Sequence, residues 1–158
     1  MDEVFPNLYV GTLSDAGDRS LLQEHSVDRV VSLTYGDPES GFPDFVSVFQ
    51  CAMMDGPRND VDVFREAVDH VVSGLESGET VLVHCSRGAS RSVCVAGTAA
   101  AIHTEIQVET ALLRVVERRN GSEPHNELVQ NAVQTHQELA EIDALHSKTE
   151  RRHCERVE

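Results

Sequence analysis

The chain has 158 residues, enough for one domain with a core of its own. Its 27 acidic residues outnumber 13 basic ones, only one of which, Lys148, is lysine, and the formal net charge is −14. Such a surface repels polyanions, so neither nucleic acid nor an anionic membrane is expected as a constitutive partner.

No apolar run is long enough to cross a bilayer, and the opening MDEVFPNLYV lacks the basic and apolar regions of a secretion signal. The four cysteines (Cys51, Cys85, Cys94, Cys154) have no paired spacing of the kind a disulfide framework or zinc site uses. A cytoplasmic location is expected. The carboxylate density also matches a cytoplasm of very high salt, where the Debye length falls to about 3 Å at 1 M and self-repulsion is screened. The plainer alternative is an ordinary acidic protein.

Val4 to Val10 alternates loosely, and Pro6 points to an edge strand or an entry segment rather than a central strand. Asp15 or Asp18 can cap a short helix through Leu21, Leu22 and His25. Val27 to Leu33 is a β-branched strand, followed by the turn-rich GDPESGFPD from Gly36 to Asp44. Phe45 to Phe49 alternates and reads as the next strand. The loop CAMMDGPRND (Cys51 to Asp60) follows, and Asp60 caps a helix with Val61, Phe64, Val68, Val71, Val72 and Leu75 on one face, ending at Gly78.

In the stretch VLVHCSRGASRS (Val81 to Ser92), Val81, Leu82 and Val83 read as a buried strand that delivers His84 and Cys85 into a tight loop. A helix of small residues, Val93 to His103, comes directly after. This order of strand, loop and helix makes an anion pocket at a helix N-terminus, where unpaired N–H groups and the helix dipole favour negative charge. The same field is expected to lower the Cys85 pKa from about 8.5 into a range of roughly 3.5–7.5. Arg91 can return a planar fork of donors to a phosphate. A nucleophile, an amide cradle and an arginine within seven residues imply phosphoryl chemistry through a cysteinyl intermediate. A bare Cys-x5-Arg would not outweigh the ordinary reading of Cys85 as a buried structural thiol; His84, Gly88 and Ser92 in this context do.

His84-Cys85, five residues and Arg91-Ser92 resemble the signature loop of the cysteine-dependent protein tyrosine phosphatases. The short chain and the spacing to an upstream Asp look most like the dual-specificity phosphatase family, as does the opening Pro6-x-Leu8-Tyr9-x-Gly11. The resemblance implies a metal-independent phosphatase of phosphotyrosine and of phosphoserine or phosphothreonine in proteins, with no cofactor.

In that reading Cys85 attacks phosphorus, and the N–H groups of Ser86, Arg87, Gly88, Ala89, Ser90 and Arg91 hold the phosphoryl oxygens. Gly88 supplies a backbone angle that a side chain would forbid. Asp55, 30 residues before Cys85 on the loop after a strand read as the parallel partner of the nucleophile's in a βαβ unit, is the candidate general acid; Asp60 and Asp62 are rivals better suited to capping their helix. Ser92 can hydrogen-bond the sulfur, and His84 is expected to brace the loop rather than move protons. Arg87 is expected to point outward, and Arg58 to face substrate or solvent. Asn126 falls where the family carries a Pro-Asn pair, but His125 interrupts it here. Cys51 and Cys94 read as core cysteines, with a resolving thiol as the alternative.

Two further helices are expected, one carrying Val108, Ala111, Leu112, Val115 and Val116 and stopped at Asn120-Gly121, the other beginning after Pro124 and reaching Leu145. The expected fold is therefore a single α/β domain, with a central, mostly parallel sheet flanked by helices. The catalytic domain spans 1–146, and 147–158 is a charged tail expected to fray. Competing readings are a phosphatase of a non-protein phosphate (an RNA 5′ end or inositol phosphate), a phosphate-binding module with little turnover, and a sulfur-transfer or arsenate-reducing enzyme with no need of Asp55.

Overall fold

The computed structural model describes residues 1–155. Five strands form one sheet: β1 (Asp2–Phe5), β2 (Leu8–Gly11), β3 (Arg29–Ser32), β4 (Ser47–Gln50) and β5 (Val81–His84), in the order β1-β2-β5-β3-β4. Only β1 runs antiparallel, paired to β2. The other three pairings are parallel, so β5 sits in the middle with β2 and β3 at its sides. The mostly parallel α/β domain read from the sequence is the one observed.

Two details differ. The segment around Pro6 is a hairpin rather than one strand, because Asn7 adopts a left-handed φ of 65° and turns the chain back. The strand before the Asp55 loop and the strand before Cys85 are parallel but not adjacent, since β3 lies between them.

Side-chain alternation divides the core. Val81 and Val83 join Val31, Leu33, Leu8 and Val10 on one face, while Leu82 and Val30 face the other way. The larger face is covered by α3 (Val61–Glu76), α4 (Arg91–Thr104), α5 (Val108–Arg118) and α6 (Asn126–Glu155). The smaller one packs against Ala16 and Leu22 of two short helices, α1 (Leu13–Ala16) and α2 (Arg19–Glu24). Thr12 caps α1 in a reciprocal box with Asp15, whereas Asp18 caps α2 alone.

The small residues of α4 have a packing reason. Ser92 through Ala101 are all buried, and a side chain at Gly97 would come within 2.5 Å of Leu112 on α5. The central helix is thus pressed between the sheet and its neighbours, and its N-terminus is fixed just beyond the end of β5. Helix α6 continues past His146 to Glu155; residues 156–158 of the expected tail lie outside the described residues.

Candidate active site

A peptide's C=O and the following N–H point in opposite directions, so the partners of the loop carbonyls reveal where the N–H groups aim. The Cys85 carbonyl accepts from His84 Nδ1 (3.3 Å) and that of Ser86 from the Leu13 N–H (3.3 Å). Arg119 donates to the carbonyls of Arg87 (Nη2, 3.2 Å) and Gly88 (Nε, 3.1 Å). The Ala89 carbonyl takes the Glu123 N–H (2.7 Å), and that of Ser90 the Cys94 N–H within the helix (3.0 Å). Every carbonyl from Cys85 to Ser90 is therefore engaged by its surroundings. The N–H groups of Ser86 to Arg91 are left to line the inside.

Gly88 is required twice over. Its φ is +66°, and a side chain there would meet the Gly11 carbonyl oxygen at 2.7 Å. The end of β2 thus presses on the loop at a point where neither chain has room for a Cβ.

Cys85 is almost completely buried, which by itself would push its thiol up. The net direction is down. Ser92 opposes burial through both its hydroxyl, 3.1 Å from the sulfur, and its N–H; the Arg91 charge and the Gly88 N–H add to it. Ser90 begins α4 but makes no side-chain cap. Its hydroxyl instead donates to Asp55 Oδ1 (2.9 Å) and accepts the His125 N–H (2.9 Å).

Asp55 Oδ1 also accepts the Gly56 N–H at 3.0 Å, opening the short 3₁₀ turn Gly56–Arg58. Both bonds fall on one oxygen, so Oδ2 of this exposed carboxyl is the one available to carry a proton. Arg91 connects the same parts: Nη1 donates to the Met53 carbonyl (3.0 Å) and reaches that of Leu33 (3.5 Å), while Nη2 donates to Ser86 Oγ (3.2 Å). The loops after β3 and β4 are thereby fastened to the start of α4.

His84 is fully buried. A carbonyl can only accept, so Nδ1 carries the proton toward Cys85, and Nε2 takes the Ser32 hydroxyl at 2.7 Å. This is a neutral imidazole. Burial holds its pKa down at about 4, with the Arg91 charge adding to the depression against the Cys85 carbonyl bond.

The remaining expected positions separate clearly. Asp60 caps α3 by accepting the Asp62 N–H at 2.9 Å, and Asp62 lies in that helix's first turn. Arg58, Arg87 and Asn126 are exposed. The bracing sought at Asn126 comes instead from the His125 backbone, whose ring also packs over Gly56, and from Asn131, which donates to Asn59 Oδ1 at 2.8 Å. Cys51 and Cys94 are buried, and burial pushes their thiols up to about 11 and about 12.

Arg119 was not legible as a site residue. It stands at the end of α5, 31 residues after Gly88, where the local pattern signals only a helix stop. Its third contact, Nη1 to Asp2 Oδ2 at 2.9 Å, anchors it to β1.

Residues 8–138 match the family model "Dual specificity phosphatase, catalytic domain". The chain belongs to the dual specificity phosphatase family. It is 29% identical over 126 residues to human "Dual specificity protein phosphatase 22", covering 79% of this chain and 67% of that protein. It is also 29% identical over 124 residues to the Xenopus laevis "Protein phosphatase Slingshot homolog", covering 78% of this chain but 18% of the relative. A zebrafish relative, "Dual specificity protein phosphatase 22-B" of Danio rerio, is 31% identical over 94 residues, 59% of this chain and 50% of its own length. The chain thus spans half or less of two of these three relatives.

Among solved structures, human DUSP28 superposes with a TM-score of 0.77 at 21% identity, covering 90% of this chain and 99% of that one. The human tyrosine phosphatase-like serine/threonine/tyrosine-interacting protein superposes with a TM-score of 0.73 at 22% identity, covering 91% and 97%. Both likenesses establish the fold of the family.

Proposed function

We propose that this member of the family hydrolyses phosphotyrosine, and phosphoserine or phosphothreonine, in proteins through a phosphocysteine. The observation that carries the reading is the sulfur's environment: a buried thiol held toward the thiolate, inside a loop whose backbone carbonyls are all turned outward. Such a cradle has its donors in place before the phosphoryl group arrives.

In the first step the Cys85 sulfur forms a bond to phosphorus as the bond to the leaving oxygen breaks. Asp55 Oδ2 gives that oxygen its proton. In the second step water attacks phosphorus, its proton passes to Asp55, and the sulfur leaves as a thiolate stabilised by the Ser92 hydroxyl. Arg91 and the N–H groups from Ser86 to Arg91 hold the three non-bridging oxygens throughout. Nucleophile, acid and charge stabilisation are all supplied by side chains and backbone, so the chemistry needs no metal or cofactor.

Exposed Tyr35 and Met54 follow closely on Leu33 and Met53, the residues whose carbonyls Arg91 grips. They offer apolar flanks for the substrate side chain. An open depression of about 370 Å³ beside Asp55, lined also by Arg87, Pro124 and His125, can receive neighbouring substrate residues. The net charge of −14 disfavours RNA as substrate. Among the described residues no helix is long and apolar enough to cross a membrane, and a nucleophilic thiolate is preserved in a reducing cytoplasm.

The test is hydrolysis of p-nitrophenyl phosphate in molar potassium chloride with EDTA. Turnover abolished by Cys85→Ser supports the cysteinyl route, and a loss in Asp55→Ala that is larger with an alkyl phosphate than with p-nitrophenyl phosphate supports Asp55 as the acid. A wild-type chain that binds vanadate tightly but turns nothing over would replace it with the binding module. The same salt series addresses the acidic surface: the melting temperature is expected to rise from dilute buffer to molar potassium chloride, and a flat response would remove the high-salt reading.

A further inference from the structure

Away from the phosphate loop, three side chains bring together the donor types of a transition-metal site. Cys51 follows the end of β4, immediately before the loop that carries Asp55. Glu66 and His70 stand four residues apart on α3, a spacing that puts both on one face. One ligand atom from each, the Cys51 sulfur, a Glu66 carboxylate oxygen and a His70 ring nitrogen, all lie within 4.8 Å of one another. His70 Nε2 is 3.7 Å from Glu66 Oε1.

We propose that Cys51, Glu66 and His70 bind one divalent transition-metal ion, with zinc the best match. A tetrahedral zinc with its usual bond lengths separates neighbouring donors by roughly 3.3–3.6 Å, so small side-chain rotations close the set around an ion. A thiolate and an imidazole favour zinc over magnesium or calcium, which take oxygen ligands. The fourth position falls to water, because Glu66 and His70 lie on the open side while Cys51 lies on the buried side. On binding, the thiol proton passes to solvent.

The competing account is an incidental helix-surface pair beside a core cysteine. The surrounding cations argue against it. Arg29 is taken by Glu79 (2.6 Å), and Arg65 by Glu138. Among the described residues, Glu66 pairs with no arginine or lysine. His70 is also held for the role: its ring packs 4.5 Å from that of Phe49, and its carbonyl accepts from Arg29 Nη1 at 2.8 Å. An ion here would fasten the strand end at Cys51 to α3, clamping the two ends of the segment 52–60 that carries Asp55. It would act as a structural staple, and no phosphate-loop residue belongs to it.

Cobalt(II) titration of the full chain tests this, in a Cys85→Ser background so that the loop thiol cannot contribute. One equivalent is expected to produce a thiolate-to-cobalt absorption band in the near ultraviolet, together with the intense visible bands of four-coordinate cobalt, and zinc is expected to displace it. Adding Cys51→Ser should remove the ultraviolet band. Glu66→Gln and His70→Gln, both at accessible positions, should weaken binding by more than the roughly 10–100-fold that loss of a second-shell partner costs. A band that survives Cys51→Ser, or no band at all, overturns the proposal, as does unchanged affinity in His70→Gln with native circular dichroism. Hydrolysis in EDTA by the chain carrying Glu66→Gln alone should match that of the wild type, which keeps this test separate from that of the phosphatase chemistry.

Discussion

Cys85 and Cys94 lie nine positions apart, at the two sides of the same helix start, and burial pushes both thiols upward. Only Cys85 ends up below its ordinary value, while Cys94 reaches about 12. The difference is one of donors. Cys85 lies ahead of the first turn of α4, where the Ser92 and Gly88 N–H groups, the Ser92 hydroxyl and Arg91 all face it. Cys94 is already inside the helix, its N–H spent on the Ser90 carbonyl, and it senses the negative Asp55 and Cys85 instead. The position of a helix end, more than burial, separates a thiol held toward the thiolate from one held protonated.

That contrast is broken most severely by exchanging the sulfur. Cys85→Ser is expected to lower turnover of p-nitrophenyl phosphate by about 10⁴-fold or more, the scale on which loss of a covalent nucleophile acts. Cys94→Ser should leave it essentially unchanged. Iodoacetate should label Cys85 in preference to Cys51 and Cys94 in the folded chain, with a rate that rises through a midpoint below the ordinary thiol range and is suppressed by vanadate. Labelling of Cys94 at neutral pH would contradict the assignment.

The Asp55 loop gives the next largest effect. Asp55→Asn should cost about 10²–10⁴-fold with an alkyl phosphate, whose leaving group needs a proton, and much less with p-nitrophenyl phosphate. Ser90→Ala acts through Asp55, whose Oδ1 it holds. Its penalty should therefore largely vanish when Asp55 is already Asn, a coupling read from the double-mutant cycle. Additive losses would show that Ser90 acts elsewhere.

Legibility divides along the same line. Cys85, Gly88, Arg91 and Ser92 could be read from the sequence because strand, loop and helix follow one another within twelve residues, and their chemistry depends on local backbone direction. Asp55 was legible through its position after a strand parallel to the nucleophile's. The supports were not: Ser90's side chain, the His125 N–H and Arg119 act across 31 to 35 residues, and their hydrogen bonds exist only once the loop after β4, the end of α5 and the start of α6 have come together around α4. The hairpin at Asn7 was missed for a related reason, since a left-handed asparagine beside proline leaves the alternation on either side looking continuous.

His84 offers a contrast in the opposite direction, a titratable group kept uncharged. Its folded pKa is depressed from 6.5 to about 4, so the unfolded chain takes up the proton first as the pH falls. The stability tied to the neutral ring is complete above pH 6.5 and is lost between there and pH 4, amounting to about 3 kcal/mol by linkage. Urea unfolding at a series of pH values should show this slope in the wild type. His84→Gln should flatten the difference between the two ends of that window, whatever its effect on absolute stability. Equal slopes would mean that the ring takes up its proton over the same pH range folded and unfolded, and that burial does not hold it neutral.

Arg119 has the smallest expected effect and the sharpest bearing on the cradle. Replacing it with methionine removes the donors to two loop carbonyls, of which Gly88's is the more enclosed, and releases Asp2. An enclosed carbonyl left without a partner costs about 1–3 kcal/mol. A peptide plane can escape that cost by turning its oxygen inward, which would place an acceptor where an anion needs a donor. The loss should accordingly appear in vanadate affinity and in kcat/KM together, and a turn of the Arg87–Gly88 plane, which carries the Gly88 N–H, should displace the pH dependence of Cys85 labelling upward. Arg119→Lys, retaining charge and one donor, should recover part of each. If Arg119→Met lowers only the melting temperature, the outward carbonyls are held by the Leu13, Glu123 and His84 contacts without it, and the cradle's geometry is a property of the loop itself.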